Sequence, residues 1–219
     1  MQTDPLSSLM STLRGAVIDG DARSTAALTA RALAEGADPQ RLVDEALIPA
    51  MDEAGRRFES GEFFVPELLV SARALKASQA LITPLLAGGA IATRGRVAIG
   101  TVKGDMHDIG KNLVVALLQG GGFEVIDLGT DVPAARFVAA ARDERADIIG
   151  LSALLTTTML QMKSTVKALE EAGVRGSVKI IVGGAPVTKR FADEIGADGY
   201  ADNAASALAL ARQLMGHAA

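Results

Sequence analysis

The 219-residue chain contains no cysteine and no tryptophan. Without thiols it can form no disulfide, no zinc–thiolate site and no iron–sulfur cluster. Aromatic residues make up 3%, so the core must be assembled from Ala, Val, Leu and Ile. At 49% hydrophobic residues there is ample material for one. Histidine is scarce too: there are two, His107 and His217, and the second lies in the tail. No Lys/Arg cluster stands out and the formal net charge is −4, so nucleic acid is not expected as a partner. No apolar run approaches the roughly 20 residues of a membrane helix. The N-terminus MQTDPLSSLM lacks the basic flank and apolar stretch of a secretory signal. A cytoplasmic protein with no membrane partner is the default expectation.

What is present divides into two patterns. Residues 1–90 are helical throughout. Pro5–Asp19 carries Leu6, Leu9, Met10, Leu13 and Val17 at helical spacing. A second helix follows Asp21 as N-cap and stops at Gly36; a third follows Asp38, with Pro39 at its first position, and runs to about 61. The fourth begins at Val65-Pro66 and runs to about 88, with Pro49 and Pro84 as kink points. This predicts a four-helix bundle. Residues 91–219 alternate apolar strands, near 96–102, 123–128, 147–154, 179–182 and 198–201, with helices. That alternation predicts a flavodoxin- or Rossmann-like α/β domain with a five-stranded parallel sheet in the order 2-1-3-4-5. Residues 88–95, rich in Gly, Ala and Thr, are the expected linker and hinge.

In such a sheet, ligands bind beyond the carboxyl ends of the strands. After the first strand comes Lys103-Gly104-Asp105-Met106-His107-Asp108-Ile109-Gly110. In an extended segment Asp105 and His107 point to the same side, so the carboxylate can hold one imidazole nitrogen while the other ligates a metal. Asp108 reads as the N-cap of the next helix. Gly110, costing roughly 1 kcal/mol against alanine in a helix, makes sense where something approaches the backbone. A plain turn with a solvated histidine remains the simpler account of this stretch alone. One imidazole cannot build a zinc site, so a metal on His107 must bring its other ligands with it, as in a macrocycle. After the third strand, Ser152 to Thr158 holds four hydroxyls in seven residues. Thr158 and Gln161 have capping-box spacing, which leaves Ser152 unexplained. After the fourth strand, Gly183-Gly184 reads either as a turn or as bare backbone beside a ligand.

Asp105-x-His107-x-x-Gly110, then Ser152-x-Leu154, then Gly183-Gly184, resembles the signature of cobalamin-binding domains. The likeness is to the two-domain corrinoid proteins of methyltransferase systems and to the cobalamin module of methionine synthase. It extends to the helical half, where RRFESGEFFVPELLVSARALK is similar to that family's cap. The resemblance implies cobalamin as cofactor, as methylcobalamin or cob(I)alamin, bound base-off with His107 as the lower cobalt ligand. It implies a His107–Asp105–Thr158 relay, with threonine where the family has serine. The segment Asp105, Met106, His107, Asp108, Ile109 and Gly110 would contact the cofactor, together with Leu154. Ser152 and Thr156 would meet its nucleotide tail, and Gly110, Gly183 and Gly184 would keep the tail's channel open. Phe58, Val65 and Leu68 would cover the reactive face.

The function so implied is methyl carriage between a substrate-specific methyltransferase and a second one acting on a folate or thiol acceptor, with a reductive activase as a further partner. Such a chain is a shuttle subunit without complete turnover of its own. The alternative is a cobalamin-dependent sensor or regulator; those resembling it carry an added DNA-binding domain. A receiver-like module is disfavoured because the third strand ends in hydroxyls rather than a phosphoacceptor aspartate.

Overall fold

The computed structural model describes residues 5–86 and 93–216. Most of the expected hinge, residues 88–92, and the tail His217 lie outside the described residues. The chain separates into two compact units, Met1–Ala92 and Thr93–Ala219.

In the first unit, helices α1 (Pro5–Ile18), α2 (Ala22–Ala34), α4 (Ile48–Glu59) and α5 (Val65–Ile82) pack against one another as a bundle. The expected caps form: Asp21 accepts the Ser24 N–H at 2.9 Å, and Asp38 accepts the Arg41 N–H at 2.8 Å. The interior is aliphatic, with Leu13, Leu42, Leu47, Met51, Leu75 and Ile82 fully buried. Small polar residues let α2 and α5 approach closely, the Thr29 and Ser78 hydroxyls meeting between them.

One expectation is corrected. The third helix is not continuous: a short α3 (Pro39–Leu42) leads into a π-helical turn, Val43–Leu47, before α4. The Ile48 N–H reaches back to the Val43 carbonyl, a five-residue span. Pro49 is the cause, since it has no N–H for the carbonyl of Glu45, four residues earlier. Arg14 of α1 supplies the missing donor, its guanidinium meeting the Glu45 carbonyl at 2.8 Å. The widened turn thus falls where a neighbour can satisfy the carbonyl. Likewise α5 stops at Ile82, and Pro84 sits in a 3₁₀ turn, Thr83–Leu85. The loop from α4 to α5 is organised by Arg57, which pairs with Glu53 at 2.8 Å and Glu62 at 3.3 Å and lies over the Phe63 ring at 5.3 Å.

In the second unit, strands β1 (Arg96–Thr101), β2 (Glu124–Asp127), β3 (Ile148–Ser152), β4 (Lys179–Gly183) and β5 (Gly199–Ala201) form one parallel sheet in the expected order β2-β1-β3-β4-β5. Five helices cross between or follow the strands: α6 (Ile109–Gly120), α7 (Ala134–Arg142), α8 (Leu160–Glu171), α9 (Lys189–Ile195) and α10 (Ala204–Leu214). Helices α6 and α10 pack together, while α7, α8 and α9 form the opposite layer, as right-handed crossovers require. Burial on both faces explains why β1 and β3 read as apolar runs. Aromatic scarcity makes Phe137 of α7 prominent. It is fully buried, and its ring occupies the space a side chain at Gly100 of β1 would need. Phe137→Ala is expected to cost about 3–5 kcal/mol of stability, measurable by denaturant titration of the purified protein.

Candidate cofactor-binding site

The reversal of strand order puts β1 and β3 side by side, with Thr101 paired to Ser152 at their carboxyl ends. Both strands run out here into loops that carry the residues singled out from the sequence. What ties those loops together is one carboxylate. Asp105 has no exposed side-chain surface, yet five donors surround it. Its Oδ1 accepts the His107 Nδ1–H at 2.9 Å and the His107 backbone N–H at 3.1 Å. Its Oδ2 accepts the Thr158 hydroxyl at 2.7 Å and the N–H groups of Leu154 at 2.8 Å and Leu155 at 3.4 Å. Burial alone pushes this carboxyl up. The Thr158 hydroxyl, the Leu154 N–H and His107 outweigh burial and hold it well below the usual carboxylate range.

That charge state fixes the histidine. A carboxylate only accepts, so the hydrogen sits on His107 Nδ1, and a neutral imidazole so held has its lone pair on Nε2. The side chain is 55% exposed. The Thr101 hydroxyl donates to the His107 carbonyl at 2.7 Å and fixes the backbone as well. The result is a rigidly mounted imidazole with one free nitrogen. Among the described residues, no group of three or more His, Asp or Glu side chains is arranged to hold a metal ion. A bare cation would find fewer than three such donors, His107 Nε2 being one. A metal caged in a macrocycle needs only that one.

The surroundings suit such a ligand. Met106 and Ile109 are 70% and 77% exposed, and Leu154, Leu155 and Leu160 are also exposed. All belong to the segments gathered around Asp105, and exposed apolar side chains of this size mark a binding surface. A Cβ at Gly110 would meet nothing within 4 Å, so the start of α6 is open.

Other expected site residues fall out differently. Thr158 does not cap α8; its hydroxyl turns to Asp105 instead, because a buried ionised acceptor is the stronger partner. Asp108 occupies the N-cap position of α6 without a capping hydrogen bond, and accepts from the Asn112 side chain at 3.1 Å. Gly183 and Gly184 have an internal reason: Cβ atoms there would lie 2.8 Å from the Ala201 carbonyl oxygen and 1.9 Å from that of Ala153, and Gly184 has φ +124°. The close approach is to the chain's own backbone. Ser152 is half-buried and Thr156 exposed at the end of β3. In the helical unit Phe58 and Val65 are half-buried, and Leu68 is fully buried with no free surface. The exposed ring in that stretch is Phe64, which sequence reasoning passed over. It also passed over the Leu154 and Leu155 amides, since backbone donors leave no mark in a sequence.

Two models of B12-binding domains match the chain, over residues 95–209 and 9–82. The chain belongs to the B12-binding corrinoid proteins. A corrinoid protein from Desulfitobacterium hafniense is 42% identical, covering 95% of this chain and 98% of its own. A dimethylamine corrinoid protein from Methanosarcina barkeri is 42% identical, covering 94% and 97%. A chain of the methanol:cobalamin methyltransferase complex from Methanosarcina barkeri superposes with a TM-score of 0.88 at 32% identity, over 98% of this chain and 82% of that one. Family membership brings cobalamin as the cofactor, and with it the macrocyclic metal that a lone imidazole fits.

The Asp105 hydrogen bonds carry a stability signature. Its folded pKa is depressed, so its contribution is complete at neutral pH and is lost as pH falls through and below the ordinary carboxylate range. Acid unfolding of the ligand-free protein should therefore begin at higher pH in Thr158→Val. At neutral pH that variant should be less stable by about 1.5–3 kcal/mol, the size of a hydrogen bond to a charged group, while Thr158→Ser stays close to wild type. Denaturant melts across a pH series measure both.

Proposed function

We propose that this corrinoid protein is a methyl carrier that binds cobalamin base-off, with His107 Nε2 as the lower ligand of cobalt. In this reading it shuttles a methyl group between a substrate-specific methyltransferase and a second one acting on a folate or thiol acceptor. A reductive activase is a further partner. The observation that carries the proposal is an exposed imidazole whose Nδ1 is held by a buried carboxylate, leaving Nε2 for a ligand. The dimethylamine and methanol systems of the relatives support a small methylated compound as donor.

When bound, cobalamin supplies the methyl-transfer chemistry at cobalt. The chain's residues set the conditions. His107 offers its lone pair from a fixed position, because Asp105 and the Thr101 hydroxyl hold ring and backbone. With a metal on Nε2, the Asp105 carboxylate would keep the Nδ1–H in place and balance positive charge on the ring. Thr158 keeps that carboxylate oriented and ionised. Met106, Ile109, Leu154 and Leu155 present an apolar surface that displaces water around the ring. Ser152 and Thr156 are proposed to hydrogen-bond the nucleotide tail beyond β3, with Gly110 leaving room at the start of α6. Gly183 and Gly184 contribute backbone alone to that channel. Phe58 and Val65 of the helical unit are proposed as the apolar cover of the reactive face.

Absorption spectra of the purified protein reconstituted with cobalamin test the ligand. Wild type should show a nitrogen-ligated cobalt, and His107→Ala should lose that signature. Removing a residue that merely orients a metal ligand costs about 10–100-fold in affinity, so loss of the ligand itself should weaken binding by at least that much. Identical spectra for the two proteins would sink the assignment.

A further inference from the structure

The end of β2 and the connection from it to α7 contain none of the proposed cofactor contacts, yet they are fastened to the histidine segment on both sides of His107. Asp131 lies at φ +54°, in the left-handed region. Side chains adopt that conformation at a cost, and Asp and Asn tolerate it best. In this conformation Asp131 grips two successive residues. Its backbone N–H donates to the Asp105 carbonyl at 2.9 Å, and its Oδ1 accepts the Gly104 N–H at 2.7 Å. Beside it, Val132 bridges to Val102, and the Val132 N–H donates to the Thr101 carbonyl at 2.9 Å. The second fastening is Lys111, whose side chain is 1% exposed. Its Nζ lies 2.6 Å from Asp127 Oδ1 and 2.7 Å from Asn112 Oδ1. The Asn112 amide in turn donates to Asp108 at 3.1 Å. Residues 104–105 before the histidine and 108–112 after it are therefore both held to residues 127–131.

We infer that Asp131 is a positioning residue for His107, acting through Gly104 and Asp105, with the Lys111–Asp127 pair as the second anchor of the same brace. Asp131 acts by leverage on the segment before His107. Asp105 can hold the Nδ1–H only if its own backbone is fixed, and the Asp131 N–H is what bonds its carbonyl. Gly104, at φ +81°, is the adjacent point where the segment could swing, and the Asp131 carboxylate closes it. The inference rests on the proposed ligand role of His107, but its first test does not.

The chain has two histidines, so the imidazole nitrogens of the ligand-free protein can be assigned by NMR with a His107→Gln reference. Wild type should show His107 as a single Nδ1–H tautomer. Asp131→Ala should show a mixture of tautomers, with cobalamin affinity lowered about tenfold, the lower end of what loss of an orienting partner costs. Asp131→Asn keeps an acceptor oxygen and tolerates the backbone angle, so it should match wild type in both measurements. Asp131→Gly keeps the angle and the N–H bond but loses the carboxylate, and should fall between. Wild-type tautomer and affinity in Asp131→Ala would overturn the inference. If that variant does not fold, a glycine variant indistinguishable from the asparagine variant overturns it equally. An unchanged cobalt spectrum in His107→Ala removes the ligand reading, while the tautomer measurement still decides the brace.

Discussion

One buried carboxylate organises the edge of the sheet. Asp105 is charged, fully enclosed and surrounded by donors from its own turn and from the segment after β3. Left unpaired, a buried charge of this kind would cost several kcal/mol. Every neighbour is arranged to prevent that. The β3 loop bends so that the Leu154 and Leu155 amides point inward, and Thr158 gives up helix capping to donate its hydroxyl. The orientation of His107 follows from the same requirement, since one of its nitrogens is among the donors. Electrostatics thus fixes the tautomer before any ligand arrives.

Much of this was legible in the residues. Strand and helix alternation gave the sheet order, because a parallel sheet buried on both faces demands apolar strands separated by helices. The Asp105-x-His107 spacing predicted a hydrogen bond that the structure contains. With no cysteine and one other histidine in the chain, a metal on His107 has to be a caged one. What escaped was decided by the three-dimensional environment. Capping-box spacing at Thr158 was a sound local rule, overridden by a carboxylate 53 positions away in the chain. Gly183 and Gly184 read as a turn or as bare backbone beside a ligand, and the structure adds an internal demand, since Cβ atoms there would meet the carbonyl oxygens of Ala201 and Ala153. Asp131 carried a faint sign, an aspartate in a glycine-containing turn, but its partners Gly104 and Asp105 lie on another connection.

The helical unit shows the same principle on a neutral group. Pro49 strips a carbonyl of its donor, and the chain answers with a π-helical turn and with Arg14 from a neighbouring helix. A proline near a helix end reads from sequence as a kink. Which residue repairs the exposed carbonyl, and whether the turn tightens or widens, depends on what is packed alongside. In both units, a neighbouring segment supplies the partner that a stranded polar group needs.

The completeness of the Asp105 hydrogen bonds also bears on how such a carrier lives. In many small metal-binding domains the metal organises its ligands, so that losing it unfolds the chain. Here the imidazole is already mounted by protein groups alone. A histidine held in this way is oriented by the same hydrogen bonds that satisfy the buried carboxylate.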